Sequence, residues 1–283
     1  GYANAQYSLG YCYENGEGVT KDLQEAVNWW SKSAEKGFAD AQYRLGKFNY
    51  DAESVEEAVK WFQKAAEQGN ADAQANLGKI FYNGEGGLAK DFQEAEKWNR
   101  KAAEQGDVTA QNYLGLQYYK GDGVTKDLQE AANWFRKAAE QGNAYGQLAM
   151  GLCYFNGEGV TKNLQEAVKW CRKSAEQGFA AAQTRLGTSY YYGEGVAKNF
   201  QEAVKWYQKA ADNGDARGKY SLGLCYYSGR GVTRDIQKGE SLIKEAAYDG
   251  LDEAKEKLDD MRTADADRRG NALLSAYIRK YGK

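Results

Sequence analysis

GDVTAQNYLGLQYYKGDGVTKDLQEAANWFRKAAEQ, residues 106–141, carries the plan of the whole chain. In its first third, Ala110, Leu114, Gly115 and Tyr118 recur every three to four residues. That is the period of one face of a helix and not of a strand. The spacing predicts a helix from Val108 to about Lys120, stopped by Gly121 and Gly123. Asp127 and Glu130 then make a D-x-x-E capping box, the aspartate accepting from free backbone N–H groups at the start of a second helix. Ala131, Trp134, Ala138 and Ala139 are its packing stripe, and Gly142 ends it, with positive φ.

Working outward, the phrase G-x-A-x-A-Q-x-x-L-G recurs with its leading glycines at Gly1, Gly37, Gly69, Gly106, Gly142, Gly178, Gly214 and Gly250. Residues 1–249 are therefore seven units, and 250–283 hold a partial eighth. The unit opening at Gly37 lacks four residues where others carry the G-x-G-V turn, leaving Asn49-Tyr50-Asp51-Ala52. The next unit has one extra residue between Asn83 and Asp91. Register survives both changes, so they lie in a loop. Asp22/Glu25 and Asp91/Glu94 repeat the capping box, with Asn163/Glu166 and Asn199/Glu202 as variants. Asn70, Asp107, Asn143 and Asp215 follow the unit glycines and are placed to cap first helices.

One helix pair buries too little surface alone, so each unit must cover the apolar face of its neighbour. Trp29, Trp61, Trp98, Trp134, Trp170 and Trp206 recur in phase on the second helix and read as core. Composition agrees with an all-α chain: 283 residues hold no proline and 33 glycines. No run of about 18 apolar residues is present to make a spanning helix. The balance of 38 basic against 40 acidic residues, net −2, argues against a nucleic-acid surface.

Three blocks, A-x-A-Q-x-x-L-G, Y-x-x-G-x-G-V-x-K-[DN] and E-A-V-K-W-x-x-K-[AS]-A-E-Q-G, resemble the Sel-one-like repeat family, a relative of the tetratricopeptide repeat. The resemblance covers roughly residues 1–262. It implies an all-α, right-handed superhelical solenoid of antiparallel helix pairs. It also implies an adaptor or scaffold that assembles protein complexes, often in bacterial envelope, signalling or host-interaction settings. Some secreted members carry a disulfide in each repeat, from two cysteines a few residues apart, and this sequence has no such pairs.

Sites for chemistry are sparse. Histidine is absent, which removes the commonest general base and metal ligand. Gly84, Gly86 and Ala89 spell a dinucleotide-like G-x-G-x-x-A, but after a helix instead of a strand. Asp265, Asp267 and Gly270 sketch a calcium loop whose fifth and twelfth positions would be Arg269 and Ala276, the wrong residues for ligation. Cys12, Cys153 and Cys225 share one repeat position, and Cys171 lies on a second helix facing Cys153. Buried thiols are the reading, a Cys153–Cys171 bridge the alternative. Glu104, Glu140 and Glu176 repeat at helix ends as a solvated face does. The expectation is a protein that is not an enzyme and needs no cofactor or metal.

Function then falls to positions that differ between units. Counted from each leading glycine, positions 4, 7, 8 and 11 share one face of the first helix. Along the expected concave groove, Tyr113, Leu116, Tyr145, Leu148 and Leu152 form an apolar middle. Arg44, Lys47 and Lys79 lie to one side, Arg185, Arg217 and Tyr220 to the other. An apolar patch with basic flanks suits a peptide or protein segment with hydrophobic anchors and acidic flanks. The rival reading is packing between units. A different class of function is an envelope protein binding glycan or peptidoglycan on groove tyrosines.

In 251–262 the core of a first helix gives way to charge, with Asp259 and Asp260 where Gly and a groove residue would stand. That suits a cap. Beyond Thr263, Leu273, Leu274, Tyr277, Ile278 and Tyr281 share one helical side, to cover the last unit, to dock in a groove or to self-associate. The chain opens at a repeat boundary, as a mature form or a fragment does, and no compartment is read from it.

Overall fold

The computed structural model describes residues 2–263, all of it helix and connections. The chain divides into two compact units, residues 1–146 and 147–283. Helices α1 (Ala3–Asn15) to α8 (Leu128–Glu140) lie in the first: α2 is Leu23–Ala34, α3 Ala39–Asp51, α4 Val55–Glu67, α5 Ala71–Asn83, α6 Phe92–Glu104 and α7 Val108–Lys120. Next come α9 (Ala144–Asn156), α10 (Leu164–Glu176), α11 (Ala180–Tyr192), α12 (Phe200–Asp212), α13 (Ala216–Ser228) and α14 (Ile236–Tyr248). Residues 252–263 are also helical. The apolar C-terminal positions Leu273 to Tyr281 and the Asp265–Gly270 turn lie outside the described residues.

Capping follows the sequence closely. Asp127 accepts from the N–H groups of Gln129 and Glu130, and Asp107 from that of Ala110. Asn143 caps α9 by accepting from Gly146. Gly142 has φ +89. Where four residues are missing, Glu53 takes φ +59 to turn the chain from α3 into α4.

The tryptophan stripe is only half of the core. Trp98, Trp134 and Trp206 are buried, but Trp29, Trp61 and Trp170 are half-exposed. The Lys three residues on lies over each of the six rings, 3.6–4.6 Å from its centroid. The next residue along is buried in every one of these repeats: Trp30, Phe62, Asn99, Phe135, Cys171 and Tyr207. Each faces the glycine of L-G on the preceding first helix, where a Cβ at Gly115 would stand 2.7 Å from the Phe135 ring. Burying such a ring contributes about 1.5–3 kcal/mol. Cys153, Cys171 and Cys225 are buried and Cys12 half-buried, with no disulfide among the described residues.

The recurrent glutamine has a buried job. Gln42, Gln74 and Gln111 in the first unit donate to the carbonyls of Ala34, Ala66 and Ala103. Their amide oxygens accept from Gln68, Gln105 and Gln141, at 2.7–2.9 Å. Gln177 and Asn213 repeat the contact on Gln147 and Gln183 in the second unit. Q of A-x-A-Q and Q of E-Q-G are thus one ladder joining successive repeats. Replacing Gln111 with Met leaves the buried Ala103 carbonyl without its side-chain donor and removes the Gln141 contact, a cost of about 1–3 kcal/mol. A lowered urea midpoint with an unchanged slope is the expected reading.

The G-x-G turns join repeats as well. Gly123 sits on the backbone of Phe92, the first residue of α6 in the preceding repeat. Gly195 sits on Leu164, the first residue of α10, and Gly231 on Phe200, the first of α12. Gly86 meets the Val55 side chain at the start of α4.

Candidate functional site

The structure gathers part of the variable stripe into one cleft of the first unit. About 430 Å³ is enclosed by Tyr82, Asn83, Thr109, Asn112, Tyr113, Leu116, Asn143 and Tyr145. Tyr82 and Tyr113 meet edge to face with ring centroids 5.3 Å apart. Tyr145 is 40% exposed and leans on Phe135 from α8, centroids 6.4 Å apart. The rim is amide-rich. Asn83 donates to the Tyr113 hydroxyl, 3.2 Å, and Asn112 to Asn143 Oδ1, 2.9 Å. Because Asn143 Oδ1 also caps α9, Asn112 must present Nδ2 to it.

Tyr82 was not legible as a site residue. Tyrosine recurs at its repeat position in Tyr50, Tyr119 and Tyr191, so it reads as scaffold. It is both. Its hydroxyl donates to Asp122 Oδ2 of the next turn, 2.9 Å, and accepts from Lys120, 3.2 Å. Burial, then the Asp122 carboxylate, drives its pKa far above the usual phenol value, so the ring stays neutral. Burial also raises the Tyr145 phenol.

A second cleft, about 540 Å³, belongs to the second unit. Leu152, Thr184, Thr188, Arg185 and Arg217 line it, with Leu251. Leu148 reaches its wall but is only 9% exposed and packs with Val168, Cys171, Ala182 and Leu186, so it is chiefly a core residue. Tyr220 packs against Ile243, Ala246 and Ala254 and is not part of the cleft lining.

The basic flanks carry partners that the sequence did not show. Arg44 pairs with Glu14 and Lys47 with Asp51, each at 3.6 Å. Lys79 pairs with Glu85 at 3.6 Å and donates to the Tyr50 hydroxyl. Arg185 pairs with Glu194, 3.0 Å, and lies over Phe155; Arg217 pairs with Glu253, 2.8 Å. The cause is local: Glu85 and Glu194 are the middle residues of G-E-G turns that fold back on their own first helix. These partly exposed pairs contribute roughly 0–1 kcal/mol each, so a ligand carboxylate competes for them without winning a free cation.

Burial pushes the Cys171 and Cys225 thiols up to about 11, away from thiolate chemistry. Among the described residues no group of three or more Cys, Asp or Glu side chains is arranged to hold a metal, and no helix is long and apolar enough to cross a membrane.

Stacked antiparallel helix pairs with variable first helices define an α-solenoid repeat protein. The chain belongs to the Sel1 repeat family, whose profile matches seven times, at 3–38, 39–70, 71–107, 108–143, 144–179, 180–215 and 216–251. A protective antigen of uropathogenic Escherichia coli with an SLR fold is 37% identical over 93% of this chain and 57% of its own, TM-score 0.81. A Sel1 repeat protein from Oxalobacter formigenes is 32% identical over 92% of this chain and 77% of its own, TM-score 0.73. Chitin synthase regulatory factor 3 of Schizosaccharomyces pombe is 44% identical over 45 residues, 16% of this chain and 5% of that protein. The chain thus spans just over half of the E. coli antigen and a small part of the yeast factor. Sel1 repeat proteins generally mediate protein–protein interaction and are generally scaffolds without catalysis.

Proposed function

We propose that this chain is a non-enzymatic interaction module that captures a partner protein through the Tyr82–Tyr113–Tyr145 cleft. The observation that carries the reading is the convergence of variable first-helix residues on one aromatic cavity. Two rigid rings held edge to face, with a third half in solvent, suit an aromatic or aliphatic anchor side chain. Asn83, Asn112 and Thr109 supply amide and hydroxyl groups at the mouth, the kind that pair with an extended peptide backbone. Acidic flanks are a secondary preference, because Arg44, Lys47, Lys79, Arg185 and Arg217 each have a carboxylate of their own.

A second reading, glycan capture, draws on the same rim: tyrosine faces beside asparagine amides also suit a sugar ring. The test separates them. Wild type and the Tyr113→Ala/Tyr145→Ala variant are used as baits, with proteins read by mass spectrometry. Leu148 is left alone because its loss would open the core. Partners lost only from the variant support capture in the cleft. Identical protein sets from both baits sink it, and loss of bound cell-wall fragments alone transfers the cleft to glycan. For an isolated partner, Tyr145→Ala alone is expected to weaken binding about tenfold or more, by titration calorimetry.

A further inference from the structure

The four residues missing from the second repeat leave a hole with a definite shape. In four other turns, the second glycine lies on the first residue of the preceding repeat's second helix: Gly86 on Val55, Gly123 on Phe92, Gly195 on Leu164 and Gly231 on Phe200. Val55, covered in this way by Gly86, is 8% exposed. Leu23 is the equivalent residue of α2. The connection that should cover it is cut to residues 52–54, where the fourth repeat has 121–127. Leu23 is accordingly 50% exposed. Ile236 of α14, over which no such turn lies among the described residues, is 41% exposed. The vacated slot is a cavity of about 380 Å³ with Leu23, Trp30 and Phe48 as its apolar lining.

Its polar wall is as telling. Lys47 holds the repeat position of Lys79, and Arg44 that of Arg185. Lys79 and Arg185 are paired by Glu85 and Glu194, the acids of their own turns. Lys47 and Arg44 have lost that turn and its acid. They make 3.6 Å contacts with Asp51 and Glu14 instead.

We propose that this slot is a docking site for an acidic, glycine-flanked tight turn of a partner protein, with the sequence pattern Gly-Glu/Asp-Gly-Val. The partner turn would restore what the repeat lacks: a backbone over Leu23 and a carboxylate between Arg44 and Lys47. The chain itself supplies the template, since its other repeats fill the matching space with this segment. The site is separate from the tyrosine cleft and stands or falls without it.

The test uses the full chain and an acetylated, amidated peptide, Asn-Gly-Glu-Gly-Val-Thr-Lys, copied from residues 156–162. Binding is followed by amide chemical shifts. Saturable shifts confined to Leu23, Phe48, Ala52 and their neighbours are expected. Lys47→Glu, at an exposed side chain, is expected to weaken binding at least tenfold. So is Glu to Gln in the peptide. A graft that replaces residues 52–54 with Gly-Asp-Gly-Val-Thr-Lys-Asp from 121–127 fills the slot from within and should abolish binding while leaving the chain folded. No saturable shift with the wild type overturns the proposal. Equal binding of the Gln peptide overturns it too, as does undiminished binding to the grafted chain.

Discussion

Gly195→Ala is expected to lower stability by about 3 kcal/mol or more, while Gly18→Ala, the same change at the same turn position, costs about 1–2 kcal/mol. Both glycines have left-handed backbone, φ +72 and φ +73, so both substitutions incur the same intrinsic penalty for an L side chain. They differ in surroundings. A Cβ at Gly18 meets nothing within 4 Å. At Gly195 it overlaps the carbonyl of Leu164 and crowds the Gln165 nitrogen, 3.1 Å away. That obstacle is backbone at the first turn of α10 and has no rotamer to escape into. Relief requires the 193–198 turn to lift off the preceding repeat. Urea unfolding of the two variants isolates the seating contact as the difference between them. Equal losses would show that the turn only reverses the chain and does not join repeats.

That second role was hidden in the sequence for a physical reason. Local spacing reports that a helix stops at a glycine. It does not report which distant backbone then comes to lie against it. The helix pairs, their caps and the repeat boundaries are local and were readable from residues 106–141 alone. The buried position next to the tryptophans was not, because Trp30, Phe62, Asn99, Phe135, Cys171 and Tyr207 have no chemistry in common, whereas the tryptophans beside them do. What unites the deep residues is the glycine opposite, a tertiary relation. Tyr113 and Tyr145 were legible as candidate cleft residues because they differ from their counterparts, and Tyr82, which also lines the cleft, was not because it matches them. Arg44, Lys47, Lys79, Arg185 and Arg217 were legible as charge. Their partners come from the same helix, from the following turn or from another repeat, as Asp51 with Lys47, Glu194 with Arg185 and Glu253 with Arg217 show.

The deep position also ties stability to the cleft, and the sharpest prediction lies there. Phe135→Ala is expected to cost about 3–5 kcal/mol, the range for emptying a buried aromatic site. Gly115→Ala by itself should cost about 1–3 kcal/mol by overpacking, because its new methyl would press on the Phe135 ring from 2.7 Å. In the double variant that methyl enters the space the ring has left. The combined loss should therefore fall short of the sum by at least about 1 kcal/mol, a coupling that two unrelated sites would not show. Simple addition of the two losses would mean that Gly115 is small for some reason other than Phe135. The same substitution reaches the ligand. Phe135 is one wall on which Tyr145 rests, so Phe135→Ala removes that support from the half-exposed ring of the cleft. A partner that needs a preorganised aromatic surface must then supply the energy of ordering it. Binding should weaken in Phe135→Ala even at temperatures where the chain is fully folded. Gly78→Ala, which presses on Asn99 in another repeat of the same unit, should lower stability and leave affinity unchanged.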